Sequence, residues 1–199
     1  HYGLAPAWIT TSVSEVSKNQ GVQQMALASS HYYNPNRRIY TFVKAWYPQG
    51  AALSGGVASF ASPATNGTQD VFYARAVSGA KFDVITSDLI FNRPLSQITT
   101  KVVNTVGNNS GVVKKIVLKS AQLPVGVDLR SDEVVYGPAR DVTIYDDATG
   151  MSLSLVEKRA GIPVMFRPFA GNTCYMDVTV RMDGQPADNT FSDVLVTID

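Results

Sequence analysis

Two histidines, one cysteine and 16 carboxylates are the side chains of this 199-residue chain suited to acid–base, nucleophilic or metal chemistry. Their spacing favours none of these. His1 and His31 stand at no ligand-like separation from another histidine or cysteine, and a three-ligand metal site usually recruits several. His31, in SHYYNPN, reads as a surface-loop residue. Serines are plentiful, but no G-x-S-x-G elbow presents one as a nucleophile. Cys174 falls on the apolar face of an alternating run. A buried cysteine behaves as a small hydrophobe, whereas a reactive thiol needs an exposed, electropositive setting. The adjacent pairs Asp146/Asp147 and Asp132/Glu133 make poor acid/base dyads, because neighbours on a strand face opposite ways. The first pair reads as turn chemistry. Asp70, Asp83 and Asp88 could join a calcium site, but no D-x-D-x-D-G loop is present. Gly55-Gly56 lacks the pattern and the following helix of a phosphate loop. The chain is therefore predicted to be no enzyme, with no catalytic residues, metal or cofactor.

Two features suit binding or processing instead. The aromatics Tyr32, Tyr33, Tyr40, Phe42, Trp46 and Tyr47 would form a sugar- or protein-binding platform if exposed together. The other reading puts Phe42 and Trp46, on one strand face, into the core, because apolar strand faces are usually buried. Arg37-Arg38 is a dibasic pair in a Pro/Asn loop, either a proteolytic processing site or a solvated loop.

The elements that would position these residues are strands. Ser87–Val103 passes from a short apolar run through Asn-Arg-Pro into strict alternation. There Ile98, Thr100 and Val102 oppose Gln97, Thr99, Lys101 and Val103. Pro94 donates nothing to a ladder and belongs at the mouth of that strand or at an edge. The clearest alternation is Thr173–Met182, with Cys174, Met176, Val178, Val180 and Met182 predicted to face inward. Further strands are expected at Ala7–Val13, Ile39–Tyr47, Val57–Phe60, Val71–Ala76 and Asp83–Ile90. Others are expected at Val112–Leu118, Asp141–Tyr145, Met151–Val156, Ile162–Arg167 and Val194–Ile198. Gly107–Gly111 and Asp146–Gly150 read as turns joining strand pairs at hairpin distance. Glu15–Ser30 is the single plausible helix, or else a long loop. Many short strands at this spacing predict an all-β sandwich or barrel with little helix.

Composition agrees. Charged residues are 17% and hydrophobic residues 45%, which argues against disorder. A formal charge of +1 gives no electrostatic reason to expect nucleic acid or an anionic membrane as partner. One cysteine allows no internal disulfide, and no apolar run approaches the ~18–20 residues of a membrane helix. A chain of this length is read as one domain over residues 1–199. His1-Tyr2-Gly3 reads as an interior start, which predicts a removed leader or pro-segment.

Four pieces, in order, carry a resemblance. They are FVKAWYP (Phe42–Pro48), DVITSDLIF (Asp83–Phe91), RPLSQITTKVV (Arg93–Val103) and GVVKKIVLKSA (Gly111–Ala121). MFRPFAG (Met165–Gly171) and the strand Thr173–Met182 follow the last. Together they resemble the N-terminal domain of the fimbrillins, the pilus subunits of Bacteroidales bacteria, including the major, minor and Mfa-like groups. Pro94 stands where that pattern usually has histidine. The resemblance implies a two-sheet Greek-key, transthyretin-like β-sandwich. It implies a structural subunit or adhesin domain of a cell-surface fimbrium, trimmed after an arginine, here Arg37 or Arg38. Assembly would follow by strand donation between subunits. Its partners would be other fimbrial subunits and surface ligands of host or bacterium. The outer membrane would hold it only through a lipid anchor on the precursor. The family's usual second sandwich domain is expected to be missing after Met182. The alternative function is a carbohydrate-binding module of a surface glycan system, using the Tyr32–Tyr47 aromatics.

Overall fold

The computed structural model of the chain describes residues 8–19, 22–36, 38–49, 51–105, 107 and 110–197. Its regular elements are strands, with two short 3-10 turns at 64–66 and 170–172. The first strands are β1 (Val13–Asn19), β2 (Val22–Leu27), β3 (Thr41–Tyr47), β4 (Ala52–Ser54) and β5 (Val57–Ser59). Next come β6 (Phe72–Gly79), β7 (Phe91–Asn92), β8 (Ser96–Val102), β9 (Gly111–Ala121) and β10 (Pro124–Asp128). The last are β11 (Glu133–Tyr136), β12 (Arg140–Ser152), β13 (Lys158–Phe166), β14 (Thr173–Met182) and β15 (Asn189–Thr197). The fold is all-β, built from several antiparallel sheets. His1, Arg37 and Ile198 lie outside the described residues, as do positions 108–109 of the expected Gly107–Gly111 turn.

The chain divides into two compact units. The larger comprises residues 46–73 and 92–199. It contains the four-stranded sheet β12-β9-β14-β15, the β13-β8 pair and the four-stranded sheet β11-β10-β5-β4. Its core joins Ile98 of β8 and Ala160, Val164 and Phe166 of β13 to Val113, Ile116 and Leu118 of β9, Ile144 of β12, and Cys174 and Met176 of β14. Strand alternation supplies one apolar face to each layer, so the faces stack in a sandwich-like arrangement. Leu118 and Phe166 are fully buried; each stabilises the unit by roughly 1.5–3 kcal/mol through transfer of its side chain from water. The smaller unit comprises residues 1–45 and 74–91. It holds the β1-β2 hairpin and most of the sheet β3-β6-β7. Within it the backbone N–H of Ile85 donates to the Tyr33 hydroxyl at 2.8 Å.

Several sequence expectations are corrected. Within Glu15–Ser30, residues 15–19 and 22–27 are strand, not helix or loop: β1 and β2 pair antiparallel from Asn19↔Val22 to Val13↔Leu27. A hairpin satisfies its own backbone groups across the ladder, so it needs no apolar stripe to be read in sequence. The strand expected over Ala7–Val13 begins only at Val13, and residues 8–12 carry no regular structure. Asp83–Ile90 forms only the bridge Ala80↔Asp83. The Gly107–Gly111 segment joins no hairpin, because β8 pairs with β13 whereas β9 pairs with β12 and β14. Ile98 of β8 and Val113 of β9 belong to the same buried core cluster. Asp146–Gly150 makes no hairpin either. Asp146 opposes Lys115 and Met151 opposes Val113, so residues 147–150 bulge out against Lys114 alone. The segment Met151–Val156 leaves the ladder after Ser152. On β14 only Cys174 and Met176 are buried, while Val178, Val180 and Met182 are half-buried. There β14 changes register, against β15 between Met176 and Val178 and against β9 between Thr179 and Val180.

Candidate functional site

Several of the residues weighed for catalysis have local structural partners. The His31 ring Nε2 lies 3.0 Å from Ser29 Oγ in an exposed segment. Cys174 is buried, and burial pushes its thiol pKa up. Asp146 pairs with Lys115 at 2.9 Å. Asp147 accepts from the Thr149 backbone N–H at 2.8 Å, and this bond, with that from Gly150, lowers its pKa. Asp132 has φ +59, and Glu133 opens β11, exposed. Asp70 accepts from the Val71 N–H at 2.9 Å and faces Arg93 at 3.6 Å. Asp83 and Asp88 belong to the smaller unit. Among the described residues no three His, Cys, Asp or Glu side chains gather to hold a metal ion. Gly55-Gly56 is the two-residue turn between β4 and β5. Ser54 opposes Val57, and both glycines have positive φ, +56 and +82, the signature of a type I′ hairpin.

One charge cluster crosses three neighbouring strands. Lys119 on β9 reaches Asp141 on β12 at 2.5 Å and Asp177 on β14 at 3.1 Å. The Lys119 ammonium lowers the Asp141 pKa, aided by the Ser120 N–H. Asp177 is lowered first by the Asp193 N–H and then by Lys119. These bonds tie the sheet together.

The aromatics of residues 32–47 fall in both units. In the smaller unit Tyr32, Tyr40 and Phe42 are exposed, at 88%, 51% and 62%. The core reading of Phe42 is therefore corrected, whereas Lys44 and Trp46 on the same strand face are half-buried. In the larger unit Trp46 is half-buried. Tyr47 stacks on Phe72, with ring centroids 5.1 Å apart and planes 21° from parallel. The Arg93 guanidinium lies 4.8 Å from the Phe72 ring. Arg38 is exposed, and its N–H donates to Asn36 Oδ1 at 3.1 Å.

Two open clefts indent the larger unit. The first, about 350 Å³, is lined by Tyr47, Pro48, Gln49, Phe60, Ser62 and Gln69 among others. The second, about 410 Å³, is lined by Tyr73, Gln122, Glu133, Tyr136 and Arg167 among others. There Arg167 lies 5.2 Å over the Tyr136 ring and donates to Gln122 Oε1 at 3.0 Å. Burial raises the Tyr136 pKa, partly opposed by Arg167. Neither cleft is legible in the sequence, where the lining residues are scattered. The aromatic run marks Tyr47, but nothing marks Gln49, Ser62 or Gln69 as its neighbours.

No protein-family model matches this chain, and no sequence among the curated proteins matches it either.

Proposed function

We propose that the chain is a structural subunit or adhesin domain of a bacterial cell-surface fimbrium, non-catalytic and exported, which assembles by β-strand exchange. One observation carries the reading. β15 lies at an edge of its sheet and is paired to β14 over seven register positions, from Thr173↔Thr197 to Val180↔Asn189. Yet every β15 side chain except the half-buried Val196 is exposed, including Phe191, Val194 and Leu195. The strand is held chiefly by backbone hydrogen bonds, and those bonds are the same whichever copy supplies the strand. Leaving its own sheet costs little apolar burial, and re-pairing on a neighbouring β14 restores the ladder. An exposed apolar edge strand is also a ready template for another chain. The ordered resemblance of residues 42–182 supports the same reading, as does the all-β, sandwich-like fold.

Trimming fits the reading in altered form. β1 and β2 form a two-stranded sheet of their own, so cutting after Arg37 or Arg38 removes the hairpin whole. It frees no ladder of the larger unit. It does remove Tyr33, the hydroxyl partner of the Ile85 N–H. The test is limited trypsin digestion, mass identification of the cut, and size-exclusion chromatography with a synthetic 189–197 peptide. The expected result is that the trimmed chain takes up the peptide or forms oligomers. A trimmed protein that stays monomeric, binds no peptide and keeps its full stability overturns the proposal.

A further inference from the structure

The structure assigns a second property to the larger unit, independent of how copies assemble. We infer that the cleft at Tyr47 binds an uncharged saccharide.

The lining has the composition such a ligand requires. Tyr47 offers a part-exposed ring, Gln49, Gln69 and Ser62 add amides and a hydroxyl, the Pro48 and Phe60 rings are themselves buried, and no lining residue is charged. Pyranose rings present an apolar C–H face and a rim of hydroxyls. Aromatic and amide side chains together match that pattern. The cleft's volume of about 350 Å³ falls in the ordinary size range of small-molecule sites.

The polar groups are set for a ligand. Gln69 Nε2 donates to the Tyr47 hydroxyl at 2.8 Å. That fixes the hydroxyl as acceptor on this side and leaves its own proton to donate, with no acceptor for it among the described residues. The Gln69 carbonyl oxygen stays open as an acceptor. Tyr47 is 39% exposed, and its stacking on Phe72 holds the ring in place. The Phe72 ring is itself backed by Arg93, which is paired to Asp70.

The opposite wall is equally fixed. Ser62 Oγ donates to Asn66 Oδ1 at 3.3 Å, and both the N–H and the hydroxyl of Thr68 donate to the Pro63 carbonyl. Arg140 Nη2 donates to the Thr65 carbonyl at 2.8 Å, and the Met165 N–H donates to that of Gly67 at 2.6 Å. These last two bonds pin the loop to β12 and β13. Such a wall needs little ordering on binding, which favours affinity. The second cleft differs, because the charges of Arg167 and Glu133 line it.

The test is a printed array of neutral and acidic oligosaccharides, followed by calorimetry of the intact chain with the neutral tetrasaccharide retained best. Two variants accompany it. Tyr47→Phe keeps the stacked ring and removes the hydroxyl, which is both the free donor and the acceptor for Gln69 Nε2. Gln49→Ala shortens an exposed side chain. Each is expected to weaken binding by about five- to tenfold, the effect of one lost hydrogen bond, with the melting curve unchanged. Three results each overturn the inference: no neutral glycan retained, acidic glycans retained in preference, or both variants binding as the parent does.

Discussion

Replacing Gly161 by alanine probes the packing of the larger unit most sharply. Gly161 has φ +72 and lies in β13, where residues 161–163 bulge against Thr99 between the pairs Ala160↔Thr100 and Val164↔Ile98. A Cβ there would lie 2.0 Å from the carbonyl oxygen of Ile144, a β12 residue that is 3% exposed. Gly55 is the control, because its φ is +56 but nothing lies within 4 Å of a Cβ built on it. Both variants carry the left-handed cost of an L side chain, about 1–2 kcal/mol. Both recover about 0.4–1 kcal/mol from the stiffer unfolded chain. Gly55→Ala should therefore lose about 1 kcal/mol net. Gly161→Ala must also displace the Ile144 backbone by about an ångström inside a packed layer, an overpacking cost of about 1–3 kcal/mol. Its total loss should reach about 2–4 kcal/mol. Urea denaturation followed by tryptophan fluorescence measures both at one slope. Equal losses, within about 0.5 kcal/mol, would refute the close approach of β13 to β12.

Three further outcomes are expected. Met176→Asp should destabilise by about 3 kcal/mol or more, and Val178→Asp by less, since half-buried Val178 lets a carboxylate reach water; urea midpoints compare them. Cys174 should react with a thiol reagent only as fast as the protein unfolds, because its thiol is buried and its pKa raised; labelling of the native protein within seconds would contradict this. Asp128 is held at about 2 by the Arg130 guanidinium and then by the Arg130 backbone N–H, below the usual 3.8. Asp141 and Asp177 are lowered likewise. A lowered carboxyl contributes stability above its unfolded value and loses it as pH falls through its folded one. Stability should therefore decline as pH drops from the usual 3.8 toward about 2, and Lys119→Met should raise the Asp141 and Asp177 pKa values in an NMR titration.

The strands whose apolar faces stack in the core were legible because burial imposes a period of two. Ile98, Thr100 and Val102 are the inward residues of β8, and β14 spans Thr173–Met182 as read. Elements that depend on a partner were not. β10 reads PVGVD, opening on a proline and broken by Gly126, and exists through its pairing with β5 and β11. The same turn chemistry serves two ends: Asp147 and Gly150 read as a hairpin and form a bulge, because β9 continues past them. Of the Tyr47 cleft, the sequence shows only the aromatic run. Ser62 and Gln69 come to it through the loop after β5, a long-range arrangement that no local pattern encodes.

The central claim is that β15 can leave its own β14 for another. Tyr175 and Leu195 are register partners on these strands, and both are exposed. Tyr175→Cys and Leu195→Cys are placed in separate chains, each also carrying Cys174→Ala, then mixed and oxidised mildly. A third chain carrying both cysteines reports that the geometry closes a disulfide in cis. Strand exchange predicts a covalent dimer joined between position 175 of one chain and 195 of the other, identified by mass and growing with incubation time. If the double variant closes in cis and the mixture yields no such dimer above collision background, β15 does not exchange, and the assembly reading fails.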